Sequence, residues 1–306
     1  MKIKKPMLWC AVVLLALVPM AVFAMTSTNY QILWDSINTG GTDYSSSTNY
    51  LLSDTVGEHG TGFSSSENYM IGAGYRIGES QEPVLSITIG TQEDDVRTAW
   101  TAFSNGGNTV TVSSASGFSV DDYIGAVENE GFSQLIAFGK ITDITGVVIT
   151  VDDWEGEPGS LSATPSGGDD FLYRMNGNSA TLGVQTVLTE STSMTLTDIA
   201  TNANNGYTVS IQGVDSLRFG SSTIMDVIDG SVTSGSEEYG TETVGIYGVG
   251  TGSDLLIPTS TTRTIQQSSI YGTNERVGII YKLGIGAYTP SGNYEQTVLY
   301  RLTGNF

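Results

Sequence analysis

Asn204-Asn205-Gly206-Tyr207-Thr208-Val209-Ser210-Ile211-Gln212 is the stretch on which the fold turns. Asn-Asn-Gly is turn chemistry, because these residues accept a positive φ that others avoid. After the turn, Tyr207, Val209 and Ile211 face one way and Thr208, Ser210 and Gln212 the other. That period of two marks a strand with one buried face. The end of the chain has the same rhythm. Val277, Ile279, Tyr281, Leu283 and Ile285 alternate along one run, Thr289-Pro290-Ser291-Gly292 reverses the chain, and Tyr294, Val298, Tyr300 and Leu302 share a side of the last run. The pattern predicts an antiparallel pair across that return, with its apolar face on a second sheet.

Working outward, Val84-Leu85-Ser86-Ile87-Thr88-Ile89-Gly90 also alternates but has no partner near it in sequence. It fits as the first strand of the same sandwich, which would then comprise 83–92 and 176–306, with 93–175 inserted as a small β-barrel or β-module; insertion at a loop is tolerated because the ends of a compact unit lie close together. Within the insert, Thr109–Val112, Asp122–Val127, Gln134–Ile141 and Val147–Val151 are short apolar runs parted by Gly-containing turns, and Phe171, Tyr173 and Met175 alternate after a Gly/Ser/Pro loop at 156–170. Strand starts about a dozen residues apart favour a barrel or sandwich over βαβ units. Gln92–Trp100 has the look of one or two helical turns.

Residues 25–82 hold a repeat. Asn29-Tyr30, Asn49-Tyr50 and Asn68-Tyr69 recur, each followed by an apolar pair and separated by Gly-rich turns such as 38–41 and 57–62. A unit this short is two strands and a turn, and such units stack to share a core. The repeated tyrosines suit a half-buried aromatic ladder between strands or an exposed row that grips a glycan. As a candidate assembly or binding surface, the set is Asn29, Tyr30, Asn49, Tyr50, Asn68 and Tyr69. The fold class expected for the whole is all-β.

Residues 1–24 read as a signal peptide: Lys2, Lys4 and Lys5, an apolar run from Met7 to Val18, Pro19, then Val22-Phe23-Ala24 before the cut. The protein is therefore expected to be exported, to the cell surface or beyond, with no membrane span in the mature chain. Its three lysines leave with the leader, so 9 basic residues face 32 acidic ones, a net −23. Such a field repels phosphate polyanions, which excludes nucleic acid as a partner. The one cysteine, Cys10, lies in the leader, so thiolate metal sites and cysteine catalysis are excluded. With 38 glycines and only 14% charged residues, strands joined by tight turns fit far better than helices.

The Ser-Thr-Asn-Tyr-Leu-Leu and Ser-Glu-Asn-Tyr-Met-Ile units resemble the SxNYxL repeats near the start of exported bacterial proteins. The segment 201–211, Thr-Asn-Ala-Asn-Asn-Gly-Tyr-Thr-Val-Ser-Ile, with the ending Thr289-Pro290-Ser291-Gly292-Asn293-Tyr294, resembles bacterial surface β-sandwich domains of pilin-like or WxL-like type, here without the tryptophan motif of the WxL family. The middle block is similar to β-modules of exported and phage-tail proteins, with Asp121-Asp122 where Gly-Asp is usual. These resemblances imply a surface or fibre role and assign no activity.

Chemistry is thin. The single histidine, His59, sits in the 57–62 turn, and neither a Gly-x-Ser-x-Gly elbow nor a phosphate-binding glycine loop followed by Lys occurs. Adjacent acids on a strand point to opposite faces, so pairs such as Asp94-Asp95 do not make a catalytic dyad. Calcium, which takes six to eight oxygens from acidic loops, is a possible ligand, and Asp121, Asp122, Asp152 and Asp153 are the candidate site. The sequence thus points to a non-catalytic structural or adhesive protein that associates with itself or with neighbouring surface proteins and glycans, assembling into a layer or fibre by strand addition. The alternatives are an outer-membrane β-barrel, suggested by the alternation up to Phe306, and a carboxylate-based glycan hydrolase.

Overall fold

The structure, a computed structural model, describes residues 84–306 throughout and four short strands before them. The chain divides into units at 1–82 and 83–306. In the first, β1 (Gly40–Ser46) pairs antiparallel with β2 (Leu51–Val56), and β3 (Gly62–Ser65) with β4 (Met70–Ala73). The Asn-Tyr pairs of the repeat lie outside the described residues.

The second unit is all-β, and no helix occurs among the described residues. Its organising element is β5 (Leu85–Ser104), a 20-residue strand that serves two substructures. The latter part of β5 joins β6 (Thr109–Val112), β7 (Tyr123–Glu128), β8 (Leu135–Thr145), β9 (Val148–Val151) and β11 (Phe171–Gly177). The ladder runs β5-β6-β9-β8-β7-β11 and returns to β5, a closed six-stranded antiparallel barrel, with the short β10 (Glu155–Gly156) alongside β8. Inside it pack Trp100, Phe103, Val110, Ile124, Ile149, Trp154 and their neighbours. A bulge between Trp100 and Ala102 resets the alternation of β5, so that both Trp100 and Phe103 reach this interior. The Gln92–Trp100 stretch expected to be helical is extended. Gln92 is buried, the polar side chains from Glu93 to Thr98 are half-exposed or exposed, and Val96 and Trp100 pack on the barrel interior; the ladder on both sides of the strand overrides a weak local preference.

The first part of β5 pairs with β12 (Ser191–Thr201), followed by β18 (Gly272–Gly284) and β16 (Glu238–Val244). Facing this sheet is a three-stranded one, ordered β17 (Arg263–Ser268), β13 (Tyr207–Gly213) and β19 (Val298–Gly304). A small hairpin of β14 (Arg218–Phe219) and β15 (Ser222–Thr223) stands apart. Between the two sheets lie Ile199, Tyr207, Val209, Ile211, Ile265, Ile279 and Tyr281, the core of a β-sandwich. β13 is alternately buried and half-buried along its length, as its sequence requires. Gly206 holds φ at 72°, and a Cβ there would meet the Ser268 carbonyl oxygen at 2.1 Å, so the turn before β13 needs glycine.

The return at 289–292 does not make the expected hairpin. β18 pairs with β12 and β16, whereas β19 crosses to the opposite sheet and pairs with β13. Tyr281 and Tyr300 meet across the core instead of along a ladder, with their hydroxyls 2.6 Å apart. Alternation fixes which face a strand buries and leaves its partner open.

In the β5-β12-β18-β16 sheet, β12, β18 and β16 are buried on both faces. One face meets the β13 sheet. Against the other, Met194, Leu196, Val244 and Ile280 pack on Val127, Ile136, Phe138, Tyr173 and Met175 from the outside of the barrel. Phe138, fully buried, lies where a Cβ on Gly278 would be, 2.1 Å from the ring. The second unit is therefore three-layered: barrel, shared sheet, outer sheet.

Candidate assembly surface

The four candidate calcium ligands fall at one end of the barrel, and each has other work. Asp121 sits at φ 75°, a left-handed conformation that Asp tolerates better than most residues, and its carboxylate is 2.9 Å from the Lys140 ammonium. Asp122 accepts from the Ser119 N–H at 2.8 Å and from Asn176 Nδ2 at 2.7 Å. Asp152 takes both terminal nitrogens of Arg276, with Nη1 at 2.8 Å from Oδ1, and also the Lys140 N–H at 3.0 Å. Asp153 caps the Trp154 N–H at 3.0 Å. No group of three or more acids, His or Cys placed to hold a metal occurs among the described residues.

The Asp152–Arg276 contact belongs to a polar clasp between barrel and sandwich. Arg276 on β18, 1% exposed, is held by Asp152 from the barrel and by Asp198 on β12 through Nε at 3.0 Å. The Tyr123 hydroxyl donates to the same Asp198 at 2.9 Å. Burial works against the Arg276 charge, and the two carboxylates overcome it and raise its pKa. Burial also pushes the Asp152 carboxyl up, and the guanidinium and backbone donors bring it below its ordinary value. Burial, then the Asp198 charge, carries the Tyr123 phenol up to about 12. At the other end of the interface Lys282, also on β18, lies 2.8 Å from Glu242 and 2.9 Å from Asp254. Beside the clasp, Glu155 is half-buried. Burial first, then Asp153, Glu275 and Asp152 acting against Arg276, lifts its carboxyl to about 7.

The opposite rim of the sandwich is open. Among the described residues, Leu85–Gly90 pair with β12 on one side only, and β19 pairs with β13 on one side only. In the β13–β19 ladder the bonds at 214–297 and 206–305 fix the phase, so the N–H and C=O groups of Val298, Tyr300 and Leu302 point away from β13. The two free edges belong to different sheets yet meet at one corner, where the Leu85 side chain would touch a Cβ on Gly304 at 3.1 Å. Between them Ile87, Val298, Tyr300 and Leu302 pack on the sandwich core while remaining only partly covered. Val84, Leu85 and Ile89 add exposed apolar surface along the first edge. The chain enters this seam at Val84, whose N–H is bound by Asn202 Oδ1 at 2.7 Å.

The alternation of these seam residues is read from the sequence, but none of them was named there as a binding surface, because the lack of a second neighbour leaves no local pattern. The tyrosines and asparagines of the repeat, Tyr30, Tyr50, Tyr69, Asn29, Asn49 and Asn68, fall outside the described residues. No helix among the described residues is long and apolar enough to cross a membrane. Comparison with protein-family models, with curated proteins and with solved structures finds no match.

Proposed function

We propose that this is an exported, non-catalytic structural or adhesive protein of the cell surface that joins to a second copy of itself by strand addition. The open seam carries the proposal. Two edges unpaired among the described residues flank half-covered core side chains, so one added strand would satisfy backbone groups and cover apolar surface together. The incoming strand is assigned to residues 25–82 of the neighbouring copy. That region forms extended hairpins at β1–β2 and β3–β4, and its Asn-Tyr units supply alternating aromatic and apolar positions. Burying an added Tyr or Leu side chain would contribute about 1.5–3 kcal/mol. Successive copies linked this way would extend into a layer or fibre, on which neighbouring surface glycans or proteins could also be held.

Light scattering on the exported protein across a wide concentration range, with and without calcium, tests this. Assemblies that grow with concentration are expected, and Ile87→Lys should return them to monomers with an unchanged β-sheet circular dichroism spectrum. A wild-type protein that stays monomeric throughout would falsify the proposal. Dependence of the assemblies on calcium would support the acidic loops around Asp121 and Asp152 as a metal site.

A further inference from the structure

The cations of residues 84–306 are matched with acids in a regular way. Arg97, Lys140, Arg174, Arg218, Arg276 and Lys282 each lie against a carboxylate. Arg301 has none among the described residues and is exposed. Arg263 is the exception: half-buried, with no carboxylate partner among the described residues. Its Nη1 donates to the Leu256 carbonyl oxygen at 2.7 Å and its Nη2 to the Thr241 hydroxyl, both neutral acceptors. Its Nε–H is buried and has no partner among the described residues. A guanidinium offers about five donors in a fork that fits a carboxylate, and here only two are in use. Burial pulls its pKa below the ordinary arginine value, the direction of a charge lacking a counter-ion.

Arg263 stands in the wall of a recess of 460 Å³ between the 227–230 and 254–263 segments. Ile228, Leu256 and Pro258 make the apolar side of that recess, and Thr261 and Thr262 bring exposed hydroxyls to its rim. Asp254 also borders it but is already committed, with Oδ2 accepting the Val232 N–H at 2.7 Å and Oδ1 2.9 Å from Lys282. On a chain so rich in acids, an unmatched cation beside an apolar hollow is a feature that needs an anion.

We propose that this recess binds an organic carboxylate, its charge on Arg263 and its apolar body against Ile228, Leu256 and Pro258. The site is separate from the open seam, and its occupancy does not depend on assembly. The Thr261 and Thr262 hydroxyls would help orient the carboxylate, while the apolar wall selects against small, fully hydrated anions.

Calorimetric titration of the exported protein with benzoate, benzamide and galacturonate tests the assignment. Benzoate is expected to bind in the millimolar range, with benzamide and galacturonate each weaker by about tenfold or more, because one lacks the charge and the other the apolar body. Arg263→Gln should remove benzoate binding. Because that change could also disturb β17, a second variant is placed at the rim: Ile228 is 87% exposed, and Ile228→Glu should weaken benzoate by a similar factor while leaving the melting temperature unchanged. Equal binding of benzoate and benzamide, stronger binding of galacturonate, no binding of benzoate at tens of millimolar, or benzoate binding unaltered in Ile228→Glu would each overturn the proposal.

Discussion

The barrel and the sandwich are built from the same residue types and the same turn chemistry, yet they end differently. In the barrel every strand of the six-stranded ring has two neighbours, and the ladder closes from β11 back to β5. In the sandwich β17 and β16 are covered at their outer edges by bridges from neighbouring loops, at Gly248–Gln266 and Thr241–Leu255, while Leu85–Gly90 and β19 are left open among the described residues. Closure removes a strand's capacity to recruit another, whereas an open edge keeps it. The difference lies in how the ladders are completed and not in composition, so it is at the open rim that association is expected.

The layer shared by the two halves offers the strongest way to break this comparison. Phe138→Ala would empty the contact over Gly278 and is expected to cost about 3–5 kcal/mol. Barrel and sandwich should then separate in denaturant, a single transition by circular dichroism becoming two. Arg276→Met comes next. It leaves Asp198 without its cation in a buried setting, but Asp152 retains some access to water, so a loss of about 2–3 kcal/mol in urea unfolding is expected, less than for a fully enclosed pair. Ile87→Ala, at the half-covered rim, should lower stability by only about 1 kcal/mol while weakening self-association markedly in sedimentation. If its effect on folding exceeded its effect on association, the rim would be ordinary core.

The smallest effect sharpens the comparison by pH. Glu155 has its carboxyl raised from 4.5 to about 7, so the folded state holds this proton more tightly than the unfolded one. Its contribution is complete below pH 4.5 and is lost as pH climbs through 7. Glu155→Gln should match wild type in thermal stability near pH 4.5 and exceed it slightly at pH 8, by less than the full shift implies because the group is only half-buried. Equal melting temperatures at both pH values would show that Glu155 ionises without strain at the barrel–sandwich contact.

Much of the fold was legible. Thr109–Val112 is β6 to the residue, and the runs from 122, 147 and 171 correspond to β7, β9 and β11 within a residue or two, because short strands between Gly turns announce both ends; the run ending at Ile141 stops short of β8, which continues through Thr142 and Asp143 to Thr145. The alternation of 207–212 named the buried face of β13. What failed did so where one segment obeys two neighbours. Residues 92–100 carry acids that dilute the strand pattern, and only the ladders to β6 and β11 hold them extended. The β18 run hid its second buried face because Arg276 and Lys282 read as solvent-facing, and only their acidic partners from distant segments make them interior. The acid pairs likewise gave no hint that Asp152 would be spent on Arg276. Neither the open rim nor the unmatched Arg263 could be read locally, since both are defined by neighbours that are missing.

The double membership of β5 has a mechanical consequence. Tension transmitted through residues 83 and 84 runs lengthwise down this strand, parallel to its ladder with β12 and onward into the ring. Hydrogen bonds loaded that way resist in shear, many at a time, instead of parting one after another like a zip. A tug on the leading segment is thus shared by both halves of the folded unit before either yields.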